Sequence, residues 1–142
     1  MSDWYEKTTI LIMALNIVSL NVNGMREAKK RTAIYEWLRI QDYDICMLQE
    51  THCSCLKDVK TWSKEWKGKA YWSPGTNTSR GVAFLIKHNL DLVILESDKD
   101  PNGRFLSIDV KVDDLQLSFI NIYAPNNSVD RKSFFRKLNE KI

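Results

Sequence analysis

The chain contains an almost unbroken apolar run, Ile45-Cys-Met-Leu48, that ends in Gln49 and Glu50. Runs of this kind are typical of β-strands buried on both faces, and such a sheet needs a covering layer on each side. The run therefore favours a layered α/β or α+β domain. It also holds the Glu50 carboxylate at the end of a rigid strand, where open α/β sheets usually bind their ligands.

Composition limits the class of protein. The length of 142 residues suits one domain, and an apolar fraction of 44% is typical of a globular chain. A net charge of +3 permits a polyanionic partner without demanding one. Three cysteines without a regular framework argue against a secreted disulfide scaffold and predict a reducing compartment, the nucleus or cytoplasm. The apolar stretch from Ile10 to Leu20 is too short for a spanning helix, so no membrane partner is expected.

Strand and helix patterns alternate in the first half of the chain, and strands dominate the second half. We expect residues 1–13 to be a lead-in and residues 14–142 to form one domain. Helical spacing of apolar residues predicts helices at about 29–40, 56–66 and 129–142. Strands are predicted at about 14–20, 44–49, 70–73, 81–86, 91–95, 105–112 and 116–123, and the first of them is expected to be buried. The expected architecture is one mixed sheet with the helices on one face. The other face would be uncovered and would favour self-association.

Polar side chains follow three of the predicted strands. Asn21 and Asn23 end the first strand, Glu50 ends the second and Tyr123 ends the last. Residues two apart in a strand share a face, so Asn21 and Asn23 are expected to point the same way. If the strands are neighbours, Glu50 could hold a divalent metal while Asn and Tyr donate to phosphate oxygens. Taken singly, each group also has a structural explanation, as a turn, a strand end or a cap.

The order of these motifs resembles the endonuclease/exonuclease/phosphatase superfamily. Four segments carry the resemblance: Leu20-Asn-Val-Asn-Gly24, Leu48-Gln-Glu-Thr-His52, Gly81-Val-Ala-Phe-Leu-Ile86 and Asn121-Ile-Tyr-Ala-Pro-Asn126. Within the superfamily, the chain is most similar to the apurinic-endonuclease-like domain that opens the second open reading frame of LINE-type non-LTR retrotransposons. The resemblance covers nearly the whole chain, from about Ala14 to its end.

The resemblance implies a fold, an activity and a set of site residues. The fold would be the N-terminal half of a four-layer α/β/β/α sandwich, and the activity would be nicking of DNA with Mg²⁺ (or Mn²⁺). Glu50 would bind the metal, Asn21 would orient the phosphate or nucleophile, and Tyr123 would hydrogen-bond the scissile phosphate. Further contacts to the substrate would come from Asn23, Arg80 and Asn126.

The second half of the family pattern is missing. Neither the Gly-Asp-Phe-Asn-like motif nor the Asp-His pair is present, and the 19 residues after Tyr123 contain no histidine. His52 does not match the family's catalytic histidine and is predicted to be structural or exposed. Because water activation needs an acid–base group, we expect this chain to be inactive by itself. Two alternatives stay open. One is a non-catalytic half-domain that self-associates or docks on a partner, and the other is a superfamily phosphatase acting on a phospholipid or inositol phosphate.

Overall fold

The structure is a computed structural model that describes residues 15–142, so the predicted lead-in at residues 1–13 lies outside the described residues. In chain order, its elements are β1 (Ile17–Asn21), α1 (Ala28–Gln41), β2 (Ile45–Gln49), α2 (Leu56–Trp66), β3 (Lys69–Ser73), β4 (Val82–Ile86), β5 (Val93–Lys99), β6 (Phe105–Val112), β7 (Leu115–Ile122) and α3 (Ser128–Lys141). These elements form two sheets with helices outside them.

The first sheet has the strand order β1-β2-β4-β3, and the second has the order β5-β6-β7. Among the strands of residues 15–142, the β1–β2 pair alone is parallel. Successive side chains of β2 point to opposite faces of the first sheet, and both faces are covered, which explains the unbroken apolar run. Cys46 and Leu48 face the helices, whereas Ile45 packs with Phe84 and Ile108 between the two sheets. Both faces of β2 are therefore buried, as the sequence predicts.

Helices α1 and α2 form the layer outside the first sheet. Tyr35 and Leu38 of α1 pack with Trp62 and Trp66 of α2 in one buried cluster against that sheet. The polar atoms of the Tyr35 and Trp66 side chains also have hydrogen-bond partners. The Tyr35 hydroxyl donates to the Trp62 carbonyl at 2.9 Å, and Trp66 Nε1 donates to the Ile86 carbonyl at 2.9 Å. Among residues 15–142, no helix is long and apolar enough to cross a bilayer.

The α/β (α+β) class and its sandwich character are confirmed, but one expected feature differs. The strands form two sheets rather than one mixed sheet, and the helices lie on both outer sides. Helix α3 contacts the outer face of the second sheet, where Lys141 Nζ lies 3.1 Å from Asp98 Oδ2 and 5.1 Å from the Phe105 ring centroid. The alternation of apolar and polar side chains along β6 explains why its sheet packs on the first one. Its inward side chains Leu106 and Ile108 give the second sheet one apolar face, which is buried by packing on the first sheet.

Two expectations about exposure change with this architecture. The sheet face that was expected to be bare is covered by β5–β7, which removes the reason for self-association through that face. The strand predicted to be buried at residues 14–20 appears as β1, an edge strand paired only with β2 within the described part of the chain. Its Ile17 side chain is accordingly 43% exposed.

Candidate active site

Glu50 and Tyr123 meet at one end of the sandwich. Glu50 directly follows β2 of the first sheet, and Tyr123 directly follows β7 of the second. The Tyr123 hydroxyl donates a hydrogen bond of 2.6 Å to Glu50 Oε1, and both residues are half-buried. This hydrogen bond, with burial and the charge of Glu50, raises the pKa of Tyr123 above its usual value. The two residues therefore converge as predicted, but they do so from two different sheets and not from neighbouring strands of one sheet.

The backbone around Glu50 is strained. Glu50, His52 and Arg80 have φ values of 53°, 61° and 62°, in the left-handed region that non-glycine residues rarely occupy. Hydrogen bonds hold this geometry: Gly24 N donates to Glu50 O at 2.7 Å, and His52 N donates to Arg80 O at 2.9 Å. Strained residues of this kind cluster at functional sites, where the surrounding structure fixes them.

Two glycines allow the neighbouring loops to approach this segment. Gly81 has a φ of +91°, and a Cβ there would lie 2.5 Å from Thr51 Oγ1. Gly24 has a φ of +84°, and a Cβ there would lie 2.6 Å from His52 Nδ1. The His52 ring therefore packs over Gly24, which agrees with the structural role predicted for it. Because both glycines lack a Cβ, the two loops can approach the segment after Glu50 this closely.

Asp58 is a buried carboxylate that holds the segment after Glu50 in place, and no sequence pattern predicted this role. Asp58, on the first turn of α2, accepts a bidentate hydrogen bond from the Arg26 guanidinium, with Nη1 at 2.6 Å and Nη2 at 3.3 Å. Arg26 Nη1 also donates to His52 O at 3.0 Å, and the Ser54 amide donates to Asp58 at 3.0 Å. Burial alone would raise the pKa of Asp58, but these hydrogen bonds outweigh burial and lower it to about 2.

We expect the Asp58 carboxylate to make stability depend on pH in the acid range. Its pKa is lower in the folded chain than the usual 3.8, so its contribution is fully present above about pH 5. That contribution, about 1–2 kcal/mol after allowance for solvent at Arg26, is lost as the pH falls from about 4 to about 2. Urea unfolding should show Asp58→Asn less stable than the wild type at pH 7, with the gap shrinking toward pH 2. Asp114→Asn, on an exposed turn, is the control. A gap that does not change with pH would contradict this prediction.

Asn21 and Asn23 lie beside Glu50 but do not share a strand face. Asn21 is the last residue of β1 and pairs with Gln49 across the sheet. Asn23 follows the strand and has a φ of 50°, so strand alternation does not extend to it and the expected shared face is wrong. The Asn21 side-chain oxygen accepts from Asn23 N at 3.0 Å, and both residues are exposed.

Arg80 and Asn126 lie on loops at the same end of the molecule. The backbone carbonyl of Arg80 accepts a hydrogen bond from the His52 amide. Asn126 is exposed and precedes α3, whose cap is the next residue, Asn127. The Asn127 side chain accepts from the Val129 and Asp130 amides, so Asn126 is not needed as the helix cap.

The side-chain amides of Gln49 and Asn121 form a second feature of the site that was not predicted from the sequence. Asn121 is 1% exposed, and its Nδ2 donates to Leu48 O at 3.0 Å and to Ala83 O at 2.8 Å. Gln49 Nε2 donates to Asn121 Oδ1 at 2.8 Å. The sequence carries one signal for this network, because an asparagine occupies an inward-facing position of β7 between Phe119 and Tyr123.

Arg104 adds a positive charge at Tyr123. Its Nη1 donates to the Tyr123 carbonyl at 3.0 Å, and its guanidinium carbon lies 5.4 Å from the Tyr123 ring centroid. The turn that carries Arg104 is held by Asp100 Oδ1, which accepts from the Arg104 and Phe105 amides at 3.0 Å each. A fixed cation beside the phenol suits an anionic ligand at this end of the sandwich.

The residues present fit a hard divalent cation bound partly by its substrate. No group of three or more His, Cys, Asp or Glu side chains within residues 15–142 is placed to hold a metal by itself. Mg²⁺ does not require such a cage, since it is usually bound by one or two carboxylates together with substrate phosphate and water. Glu50 supplies one carboxylate, and its bond from Tyr123 orients that carboxylate.

Comparison with known proteins places this arrangement in context. The sequence profile of the Endonuclease/Exonuclease/phosphatase family matches residues 18–140. The transposon TX1 uncharacterized 149 kDa protein of Xenopus laevis is 32% identical over 126 residues, covering 89% of this chain and 10% of that protein. The DNA repair nuclease APEX1 of Danio rerio is 31% identical over 121 residues, covering 80% of this chain and 37% of that protein.

Among solved structures, the endonuclease domain of TRAS1, a telomere-specific non-LTR retrotransposon, has a similar fold. It aligns with a TM-score of 0.56 at 13% identity, over 87% of this chain and 52% of that domain. The chain thus spans about half of that domain, 37% of the DNA repair nuclease and 10% of the transposon protein.

Proposed function

The chain belongs to the endonuclease/exonuclease/phosphatase family, and we propose that Glu50 and Tyr123 form part of a divalent-metal-dependent site that cleaves DNA phosphodiester bonds. The observation that carries this proposal is the 2.6 Å bond between the two side chains, which joins the ends of two different sheets. The names of two relatives, a DNA repair nuclease and a transposon protein, support DNA as the substrate and a mobile-element origin.

In this proposal, Glu50 holds Mg²⁺ or Mn²⁺ next to a substrate phosphate. The metal would neutralise phosphate charge and stabilise the leaving oxygen. The strained backbone at Glu50 fixes where its carboxylate points, because the segment is hydrogen-bonded to Gly24 on one side and to Gly81 and Arg80 on the other. Asn21, Asn23, Arg80 and Asn126 surround this end as candidate contacts for the DNA backbone.

Tyr123 would change partner when substrate binds. Its hydroxyl has one proton, so it cannot donate to Glu50 and to a phosphate at the same time. A phenol has a pKa of about 10 in water, so Tyr123 keeps that proton at neutral pH and its hydroxyl remains a donor after it leaves Glu50. We expect the hydroxyl to leave Glu50 and to donate to a phosphate oxygen, with Arg104 beside it as a fixed positive charge.

Binding of Mn²⁺ tests the proposed site without relying on activity. Mn²⁺ broadens the NMR signals of nuclei close to it, so at low Mn²⁺ concentration we expect broadening centred on Glu50, Thr51 and Tyr123. Glu50→Gln removes the anionic ligand and should abolish that pattern, whereas Glu96→Gln, an exposed carboxylate on β5, should leave it unchanged. Broadening that is the same in the Glu50→Gln variant, or centred elsewhere, would rule out Glu50 as the ligand.

A further inference from the structure

We propose that Asn121 is a positioning residue, whose buried carboxamide fixes β7 against β2 and β4 so that the Tyr123 hydroxyl reaches Glu50. The inference builds on the proposed function, because it takes the Glu50–Tyr123 pair as the site. It concerns how that pair is assembled from two sheets that share no backbone pairing in the described part of the chain.

The contacts of Asn121 reach two strands of the opposite sheet. One N–H of its carboxamide goes to Leu48 O on β2, and the other goes to Ala83 O on β4. Its oxygen accepts from Gln49, whose Nε2 also lies 3.0 Å from Ser19 Oγ on β1. A single side chain from the second sheet is thus bonded to the two central strands of the first sheet and linked through Gln49 to its edge strand.

Asn121 lies close in sequence to Tyr123, so its hydrogen bonds affect where the Tyr123 hydroxyl is placed. Asn121 lies two residues before Tyr123, which directly follows β7 and packs on the cluster between the sheets, and Leu48 lies two residues before Glu50, which directly follows β2. The bond between Asn121 and Leu48 therefore fixes two short segments at a point just before the side chains that must meet. Little freedom remains between that point and the 2.6 Å bond of Tyr123 to Glu50.

Apolar packing alone would not fix the position of Tyr123 relative to Glu50. The residues that pack around Asn121 between the sheets form an apolar cluster, and the Ser73 hydroxyl adds one further polar contact by donating to Asp100 Oδ1 at 2.9 Å. Hydrophobic contact has no direction, so the cluster does not by itself fix where one sheet stops along the other. A buried polar group is costly unless it is bonded, and here the donors and the acceptor of Asn121 all have partners. A polar network at the mouth of an apolar interface is thus placed to set alignment between the sheets.

The test is a double-mutant cycle between Glu50 and Tyr123, measured by urea unfolding without metal. In the wild-type background, Glu50→Gln and Tyr123→Phe should be coupled by a factor of about 2 to about 100 in the unfolding equilibrium constant, as expected for residues in contact. In an Asn121→Leu background, we expect that factor to fall to about 1. A merely stabilising role would lower overall stability but would leave the coupling intact.

The control is Ile108→Val, which removes a methyl group from the same interface without touching the hydrogen bonds, and which should keep the coupling. If Asn121→Leu does not fold, the cycle is repeated in Gln49→Leu, which removes one bond to Asn121 and should reduce the coupling. Full coupling in Asn121→Leu, or in Gln49→Leu when that variant is needed, would overturn the inference. No coupling in the wild type would also overturn it.

The cycle and the Mn²⁺ experiment can fail independently. Coupling that depends on Asn121 without Mn²⁺ broadening at Glu50 would leave the positioning role standing and reject the metal site. Broadening at Glu50 together with coupling that survives Asn121→Leu would do the reverse.

Discussion

Incubated with supercoiled plasmid and Mg²⁺ or Mn²⁺, the 142-residue chain is expected to produce no more nicked circles than its Glu50→Gln variant. Hydrolysis needs a group that activates water, and one general acid–base group is typically worth a factor of about 10²–10⁴. The nearby candidates in the described residues are already engaged. Asp58 is bonded to Arg26 and Ser54, and the His52 ring packs over Gly24. Loss of cooperating groups leaves little residual activity.

The comparison with Glu50→Gln separates true activity from contamination. A contaminating nuclease would nick equally in both samples, while activity of the chain itself would depend on Glu50. Tyr123→Phe serves as a second variant, since it removes the hydroxyl that contacts Glu50 and keeps the ring. Nicking that requires both Glu50 and Tyr123 would show that the groups present in this chain are sufficient, and the expectation of inactivity would be wrong.

Much of the secondary structure could be predicted because periodicity is a local property. The spacing in α1 and α2 and the alternation in β6 indicate their types and their apolar faces directly. What covers an apolar face is not local, however. The alternation of Leu106 and Ile108 in β6 shows that one face is buried, but it does not show that the covering layer is the other sheet of the same chain. The separation into two sheets therefore appears only in the structure.

The residues of the site also differ in how far they could be predicted from the sequence. The sequence predicts that Glu50 and Tyr123 converge if their strands are neighbours, but β2 and β7 lie in different sheets, and the two side chains meet across the sandwich instead. The Asn121 contact with Leu48 joins residues 73 positions apart, and the Arg26 contact with Asp58 joins residues 32 positions apart. Pairings of this kind leave no periodic trace in one sequence, and neither does the left-handed backbone at Glu50. Side chains that support a site are thus harder to predict than those that form it.

The largest effect on stability is expected from Phe84→Ala. Phe84 lies at the centre of β4, is 0% exposed and packs in the cluster between the two sheets. Truncation of a buried phenylalanine typically costs about 3–5 kcal/mol, because apolar contacts are lost and a cavity remains. Whole domains are typically stable by about 5–15 kcal/mol, so this one change could remove much of the total. Urea unfolding followed by tryptophan fluorescence would measure the loss.

Phe135→Ala on α3 is the matched control, since it removes the same side chain from a position that is 44% exposed. It should cost less than about 1 kcal/mol, as most surface changes do. The contrast tests the architecture itself, because Phe84 is costly to truncate only if the second sheet covers the first. Equal effects of the two substitutions would mean that β5–β7 does not pack on this face in solution. The bond between Glu50 and Tyr123, which requires both sheets, would then lose its structural basis.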